Sequence, residues 1–171
     1  EMRQVITAGE QTGLEFKSMP TLREVLEGGA EADEMRPIRI DDLLGRRPVQ
    51  LDLDIVERDL SSAVVLVTGA AGSIGSELAR QVAGFGPKTL ILLDQAESPL
   101  YFLQVELART FPALAVVPVI GDIVDAPRVD DVFARYRPDV VFHAAAYKHV
   151  PMMEFHPAEA VRNNVQGTLH V

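Results

Sequence analysis

The sequence predicts an α/β protein built on a doubly wound parallel sheet, and three observations predict it. Four apolar runs, "VVLVT", "KTLILLD", "LAVVPVIGD" and "PDVVFHAAA", end near Thr68, Asp94, Gly121 and Ala144, about 25 residues apart. Stretches of helical periodicity separate them. The first run passes straight into a helical pattern through a turn that carries Gly69, Gly72 and Gly75. Unbroken apolar runs suit strands buried on both faces, and strands alternating with helices make βαβ units. Chain order and the right-handed crossover then predict the strand order 3-2-1-4, with the glycine turn at the centre of the ligand face.

Each element has its own signal. Residues 1–50 are polar, broken by "EGGAEADEMRP", and carry short helical turns at "PTLREVL" and "IDDLLGR". They predict a linker and the tail of an upstream domain. Residues 51–171 predict the folded domain, incomplete at its C-terminal end. Leu53, Ile55, Val56 and Leu60 predict a short helix before the first strand. In "SIGSELARQVAGF", Ile74, Leu78 and Val82 share one face, and Gly84 and Gly86 mark the stop. In "SPLYFLQVELARTF", Ser98 is the expected cap, Pro99 stands in the first turn, and Leu100, Leu103 and Leu107 form the buried face. Pro118 inside the third run predicts an edge strand. "APRVDDVFARYR" follows as a helix, "YKHVPMMEFHP" as a long loop, and "PAEAVRNNVQGTLHV" as a last helix after Pro157.

Composition narrows the function. The 171 residues include 16 basic and 25 acidic ones, a formal net charge of −9. That argues against nucleic acid as a partner, since phosphate backbones need a basic surface. A single nucleotide needs only a local nest of N–H groups, so it stays open. Cysteine is absent, which excludes disulfides and thiolate metal sites and suits a reducing compartment. No run reaches the ~18 apolar residues of a membrane span, and no signal peptide stands at the start. The chain opens on Glu1 and closes on Val171 inside a helical pattern, so it reads as an internal piece of a longer protein.

The four strand ends supply the chemistry. A strand that turns through glycines into a helix aims free N–H groups and the positive helix end outward, which suits a diphosphate. The spacing here, G-x-x-G-x-x-G, differs from the usual G-x-G-x-x-G. Asp94 lies 19 residues beyond Gly75, where a carboxylate either accepts both ribose hydroxyls of an adenosine and repels a 2′-phosphate or caps the next helix. Asp122 either meets an adenine amino group or caps the next helix. "HAAA" places small residues where a ring must approach backbone. The ionisable loop offers Lys148 as a cation for a diphosphate or a sugar hydroxyl. His149, Glu154 and His156 have no recognised zinc spacing, so no metal site is expected.

Together, "VLVTGAAGSIGSEL", "LLDQAESPLYFLQVEL", "GDI", "VVFHAAAYKHVPMME" and "NNVQGT" resemble the extended short-chain dehydrogenase/reductases. The likeness is to the nucleotide-sugar 4,6-dehydratases of bacterial polysaccharide biosynthesis, the CapD-like group, in which the T-G-x-x-G-x-x-G spacing is normal. The resemblance implies an NAD(P)-binding Rossmann fold. Gly69, Gly72, Ser73, Ile74 and Gly75 match the diphosphate cradle. Asp94 matches the ribose position, and Asp122 with Ile123 the adenine position. Ala144, Ala145 and Ala146 match the nicotinamide side, Lys148 the loop facing cofactor and sugar, and Asn164 an asparagine that holds the site together.

The implied cofactor is NAD, with NADP as the alternative, and the implied substrate is a UDP-N-acetylhexosamine. The implied reaction takes a hydride from C4 of the sugar, removes the C5 proton, expels water from C6 and returns the hydride to C6. The family's catalytic groups, an Asp-Lys pair and a Tyr- or Met-x-x-x-Lys element, follow the next strand. No catalytic residue is therefore assigned among these 171, and the piece alone is expected to be inactive. The intact protein is expected to be a cytoplasmic homo-oligomer, with an upstream membrane anchor open and no membrane contact from this segment. A UDP-sugar 4-epimerase and a non-catalytic dinucleotide sensor are the competing readings.

Overall fold

The chain divides into two compact units, Glu1–Leu51 and Asp52–Val171. The computed structural model describes residues 52–171, together with the dipeptides Lys17–Ser18 and Arg36–Pro37, which pair antiparallel within the first unit. The helical turns expected at residues 20–26 and 40–46 lie outside the described residues.

In the second unit the elements alternate as the apolar runs require: α1 Leu53–Leu60, β1 Val64–Thr68, α2 Ser73–Gly84, β2 Thr89–Asp94, α3 Glu97–Thr110, β3 Ala115–Ile120, α4 Ala126–Tyr136 and β4 Val140–His143. Helices α5 Val150–Phe155, α6 Pro157–Val161 and α7 Thr168–His170 follow, the last two joined by a π-helical segment, Arg162–Gly167. The four strands are parallel, in the expected order β3-β2-β1-β4. Pro118 sits on β3, an edge strand of this sheet, where its missing N–H leaves one bond fewer to lose.

Both faces of the sheet are covered, and strand alternation decides which residue meets which layer. Val65, Val67, Leu90 and Leu92 pack with Ala79, Val82, Ala83, Leu100, Leu103 and Leu107 of α2 and α3. Leu66, Ile91 and Leu93 face the other way, against Val119, Ile123 and Val132. Val65 to Val67 and Leu90 to Leu92 are 0% exposed, each such side chain contributing about 1.5–3 kcal/mol by burial. Across the covered side, Arg80 of α2 grips Glu106 of α3 with two guanidinium nitrogens, at 2.7 and 3.0 Å. That pair lowers the Glu106 pKa from the usual carboxylate value.

Four local expectations need correction. The buried face of α2 is Gly75, Ala79, Val82 and Ala83, while Ile74 is exposed. Residues without bulk let the helix lie close to the sheet, and the larger Ile74 is turned outward. Ser98 does not cap α3, which starts one residue earlier. The turn before the helix is closed by Asp94 Oδ1, which accepts from the Ala96 N–H at 2.9 Å, and the Ser98 hydroxyl donates to Glu97. The stretch expected as a loop contains α5, with Pro151 in its first turn. The last helix begins at Pro157 itself and widens into the π-helical segment. Among the described residues no helix is long and apolar enough to cross a membrane.

Candidate functional site

Register brings the strand ends to one line. Thr68 pairs with Leu93 on one side and with His143 on the other, so the loops after β1, β2 and β4 emerge together. β3 joins the line one residue on, where Asp94 is level with Ile120. These loops border a cleft lined by Gly69, Gly72, Asp94, Asp122, Ile123, Ala144, Ala145 and Ala146.

The glycine turn explains its own spacing. Gly69 has φ +64, and a Cβ there would stand 2.6 Å from the Ala145 nitrogen and 2.7 Å from the Ala144 oxygen. A Cβ on Gly75 would overlap the Gly69 oxygen. These two glycines are needed so that the β1 turn, the β4 loop and α2 can touch. Gly72 differs. Its Cβ would meet only the Gly69 oxygen, at 3.2 Å, and its open side faces the cleft. It is the N-cap of α2 and offers no capping side chain, so the N–H groups of Ser73, Ile74 and Gly75 lack partners in their own helix. An uncapped twelve-residue helix at a cleft suits a bound anion.

Asp94 braces the same turn. Its Oδ2 accepts from the Ala71 N–H and its Oδ1 from the Ala96 N–H, both at 2.9 Å. Each oxygen keeps lone-pair capacity for a further donor. Asp122 is not the cap of α4. Asp125 is, accepting from the Arg128 N–H, while Asp122 Oδ1 accepts from the Val124 N–H at 2.9 Å. Ile123 borders the cleft, but its side chain is 4% exposed and lies under Gly167, where a Cβ would come within 2.6 Å of it. Its carbonyl accepts from His170 Nδ1 at 2.9 Å. The backbone is therefore what Ile123 has to offer a ligand.

Lys148 and Asn164 stand beside the cleft, in an adjoining groove with Tyr147, Val150, Met153 and Glu154. The Lys148 ammonium donates to the Ser73 hydroxyl at 3.4 Å and so spans from the β4 loop to the first turn of α2. Asn164 binds the Tyr147 peptide on both sides. Five residues that line the cleft were not among the site candidates read from the sequence: Leu93, Gln95, Gly121, Tyr147 and Asn163. Asn163 is 7% exposed and donates to Asn164 Oδ1 at 2.9 Å. The adjacent pair "NN" inside a helical pattern was the available signal, since buried amides need partners. Among the described residues no group of three His, Cys, Asp or Glu side chains is placed to hold a metal.

A doubly wound parallel sheet of the Rossmann type, with a glycine turn at the head of its first crossover helix, defines the class of this domain. The chain belongs to the family described as "Polysaccharide biosynthesis protein" (Polysacc_synt_2), whose model matches residues 65–171. It is 44% identical over 160 residues to the capsular polysaccharide biosynthesis protein CapD of Staphylococcus aureus, covering 93% of this chain and 27% of that one. It is 33% identical over 108 residues to the UDP-N-acetylglucosamine 4,6-dehydratase (inverting) of Campylobacter jejuni subsp. jejuni serotype O:2, covering 63% of this chain and 30% of that one. Among solved structures, the NAD-bound UDP-glucose-4-epimerase of Stenotrophomonas maltophila aligns with a TM-score of 0.57 at 29% identity, over 63% of this chain and 32% of that one. The chain thus spans under a third of the length of each of these proteins.

Proposed function

We propose that residues 52–171 form the dinucleotide-binding part of a nucleotide-sugar 4,6-dehydratase that uses NAD and a UDP-N-acetylhexosamine. One observation carries this reading: Gly72 forms the N-terminus of α2 without a side-chain cap, and it lines the same cleft as the Asp94 carboxylate, which also holds the Ala71 N–H of that turn. That arrangement fits a diphosphate next to a ribose.

In this reading the α2 N–H groups bind the diphosphate, and Lys148, bonded to Ser73 of the same turn, adds positive charge from the adjoining groove. Asp94 accepts the ribose hydroxyls without giving up its bonds to Ala71 and Ala96. Asp122 and the backbone at Ile123 receive the adenine, and Ala144 to Ala146 leave room for the second ring. Bound NAD would supply a hydride acceptor that returns the same hydride later in the cycle. The sugar pocket and the proton-transferring groups fall outside these residues, and the intact enzyme works as a homo-oligomer on the cytoplasmic side.

The relatives include dehydratases and epimerases, so the test must separate the two. The full-length protein is incubated with UDP-N-acetylglucosamine and the products are resolved by NMR. A 4-keto-6-deoxy sugar supports the dehydratase. A 4-epimer without loss of water replaces it with the epimerase, and no turnover with retained NAD binding leaves a sensor.

A further inference from the structure

From the buried end of β1 to the exposed His143 and Thr168 runs a line of hydrogen bonds that the dinucleotide reading does not use. Thr68, the last residue of β1, is 0% exposed, and its Oγ1 lies 2.7 Å from Nδ1 of His143, the last residue of β4. Nε2 of the same ring lies 3.0 Å from the Thr168 hydroxyl, which donates to the Asn164 carbonyl at 2.8 Å. A carbonyl oxygen only accepts, so the one hydroxyl proton of Thr168 is used there. The Thr168 oxygen must then accept from His143 Nε2–H. Desolvation lowers the His143 pKa from its ordinary value, which favours the neutral ring. A neutral ring protonated at Nε2 leaves Nδ1 to accept from the Thr68 hydroxyl.

Each end of this line holds one wall of the cleft. Thr68 immediately precedes Gly69. Thr168 lies one turn after Asn164, which grips the peptide just before Lys148. Strand pairing cannot do the same work, because it ends where the Ala144 N–H donates to the Thr68 carbonyl at 3.0 Å. Past that point, the hydrogen bonds described for Tyr147 and Lys148 run to Asn164 and Ser73.

We propose that His143 is a positioning residue: its imidazole ties the foot of the glycine turn to the Thr168 helix, and through Asn164 it sets where the Tyr147–Lys148 loop stands over the cleft. The ligand part of this inference rests on the dinucleotide reading above, whereas the tie itself does not.

The test uses the full-length protein and three variants. Thr168→Val removes the hydroxyl at nearly constant shape, Thr168→Ser keeps it, and His143→Ala removes the ring. The readouts are amide hydrogen exchange at Tyr147, NAD affinity by calorimetry and the melting temperature. Thr168→Val and His143→Ala should speed Tyr147 exchange and weaken NAD binding about fivefold, the effect of one lost hydrogen bond. Thr168→Ser should match the wild type in both. The His143→Ala/Thr168→Val double variant should be no worse than the poorer single one, because both cut the same line.

A lowered melting temperature with unchanged Tyr147 exchange and unchanged affinity would overturn the proposal, since the bonds would then only stabilise. Should His143→Ala fail to fold, the Val and Ser variants of Thr168 decide the matter by themselves. A wild type that binds no NAD, with Tyr147 exchange still faster in the variants, overturns the dinucleotide reading and leaves the tie standing.

Discussion

Asn164 holds both backbone polar groups of Tyr147: its Oδ1 accepts from the Tyr147 N–H and its Nδ2 donates to the Tyr147 carbonyl, each at 2.8 Å. Only a carboxamide offers an acceptor and a donor side by side in this way. Asn164→Asp keeps the acceptor but sets a carboxylate oxygen against the Tyr147 carbonyl. This should cost about 1–3 kcal/mol and release the Lys148 loop. Urea unfolding measures the first effect, and amide exchange at Tyr147 measures the second. An Asp variant as stable and as protected as the wild type would show that the loop is held elsewhere.

The glycines of the turn should separate into two kinds. Gly75→Val drives a side chain into the Gly69 carbonyl and should leave the domain unfolded or grossly destabilised. Gly72→Val meets only the Gly69 oxygen, at 3.2 Å, so the domain should fold with a small loss of stability. Its branched side chain then fills the cleft, and NAD binding should disappear. Circular dichroism and calorimetry on the two variants check this pair. A folded Gly72→Val that binds NAD normally would remove the diphosphate from the turn.

Asp94 should make the protein prefer NAD, because a 2′-phosphate would face its carboxylate. In Asp94→Ser the ratio of NADP to NAD affinity should rise about tenfold or more, roughly 1.4 kcal/mol. The melting temperature should fall as well, since Asp94 also holds the Ala71 and Ala96 N–H groups. Titration of both cofactors is the measurement. A wild type that favours NADP would refute the ribose assignment.

His143 is partly open to solvent, but burial of the rest of its ring lowers its pKa from 6.5, so it carries a small pH dependence. The groups that face its two nitrogens, the Thr68 and Thr168 hydroxyls, do not titrate in this range. Above the unfolded-state value the ring is neutral in both states and its contribution is fully present. As the pH falls below that value the unfolded chain takes up the proton first. The contribution then shrinks until the pH has passed the lower folded-state value. The urea midpoints of the wild type and His143→Gln, followed from pH 8 to 5, should therefore converge toward acid. His149, His156 and His170 are common to both proteins and largely cancel. A gap that stays constant over the range would mean that the ring is not desolvated.

Much of this domain was legible in the amino-acid order because its signals are local. The runs ending at Thr68 and Asp94 hold the unbroken apolar stretches 64–67 and 90–93, as strands covered on both faces do. With the crossover rule they led to the order β3-β2-β1-β4. Leu100, Leu103 and Leu107 were correctly placed on the buried face of α3 by period alone. The glycine turn and Asp94 stood out because strand ends in such a sheet converge.

What needed the tertiary structure is everything that depends on a neighbour distant in the chain. Ile74 fits a helical stripe with Leu78 and Val82, yet the close approach of Gly75 to Gly69 turned the helix and left Ile74 exposed. The different roles of Gly69, Gly72 and Gly75 follow from what a Cβ would strike, and for Gly69 that is the β4 loop, 75 residues later. His143 reads in sequence as the end of a strand. Its tie to Thr68 and Thr168 exists because parallel pairing sets β4 beside β1 and the last helix folds back over their ends. Local periodicity determines which elements form. Hydrogen bonds and steric limits between residues far apart in sequence decide how their ends become a site.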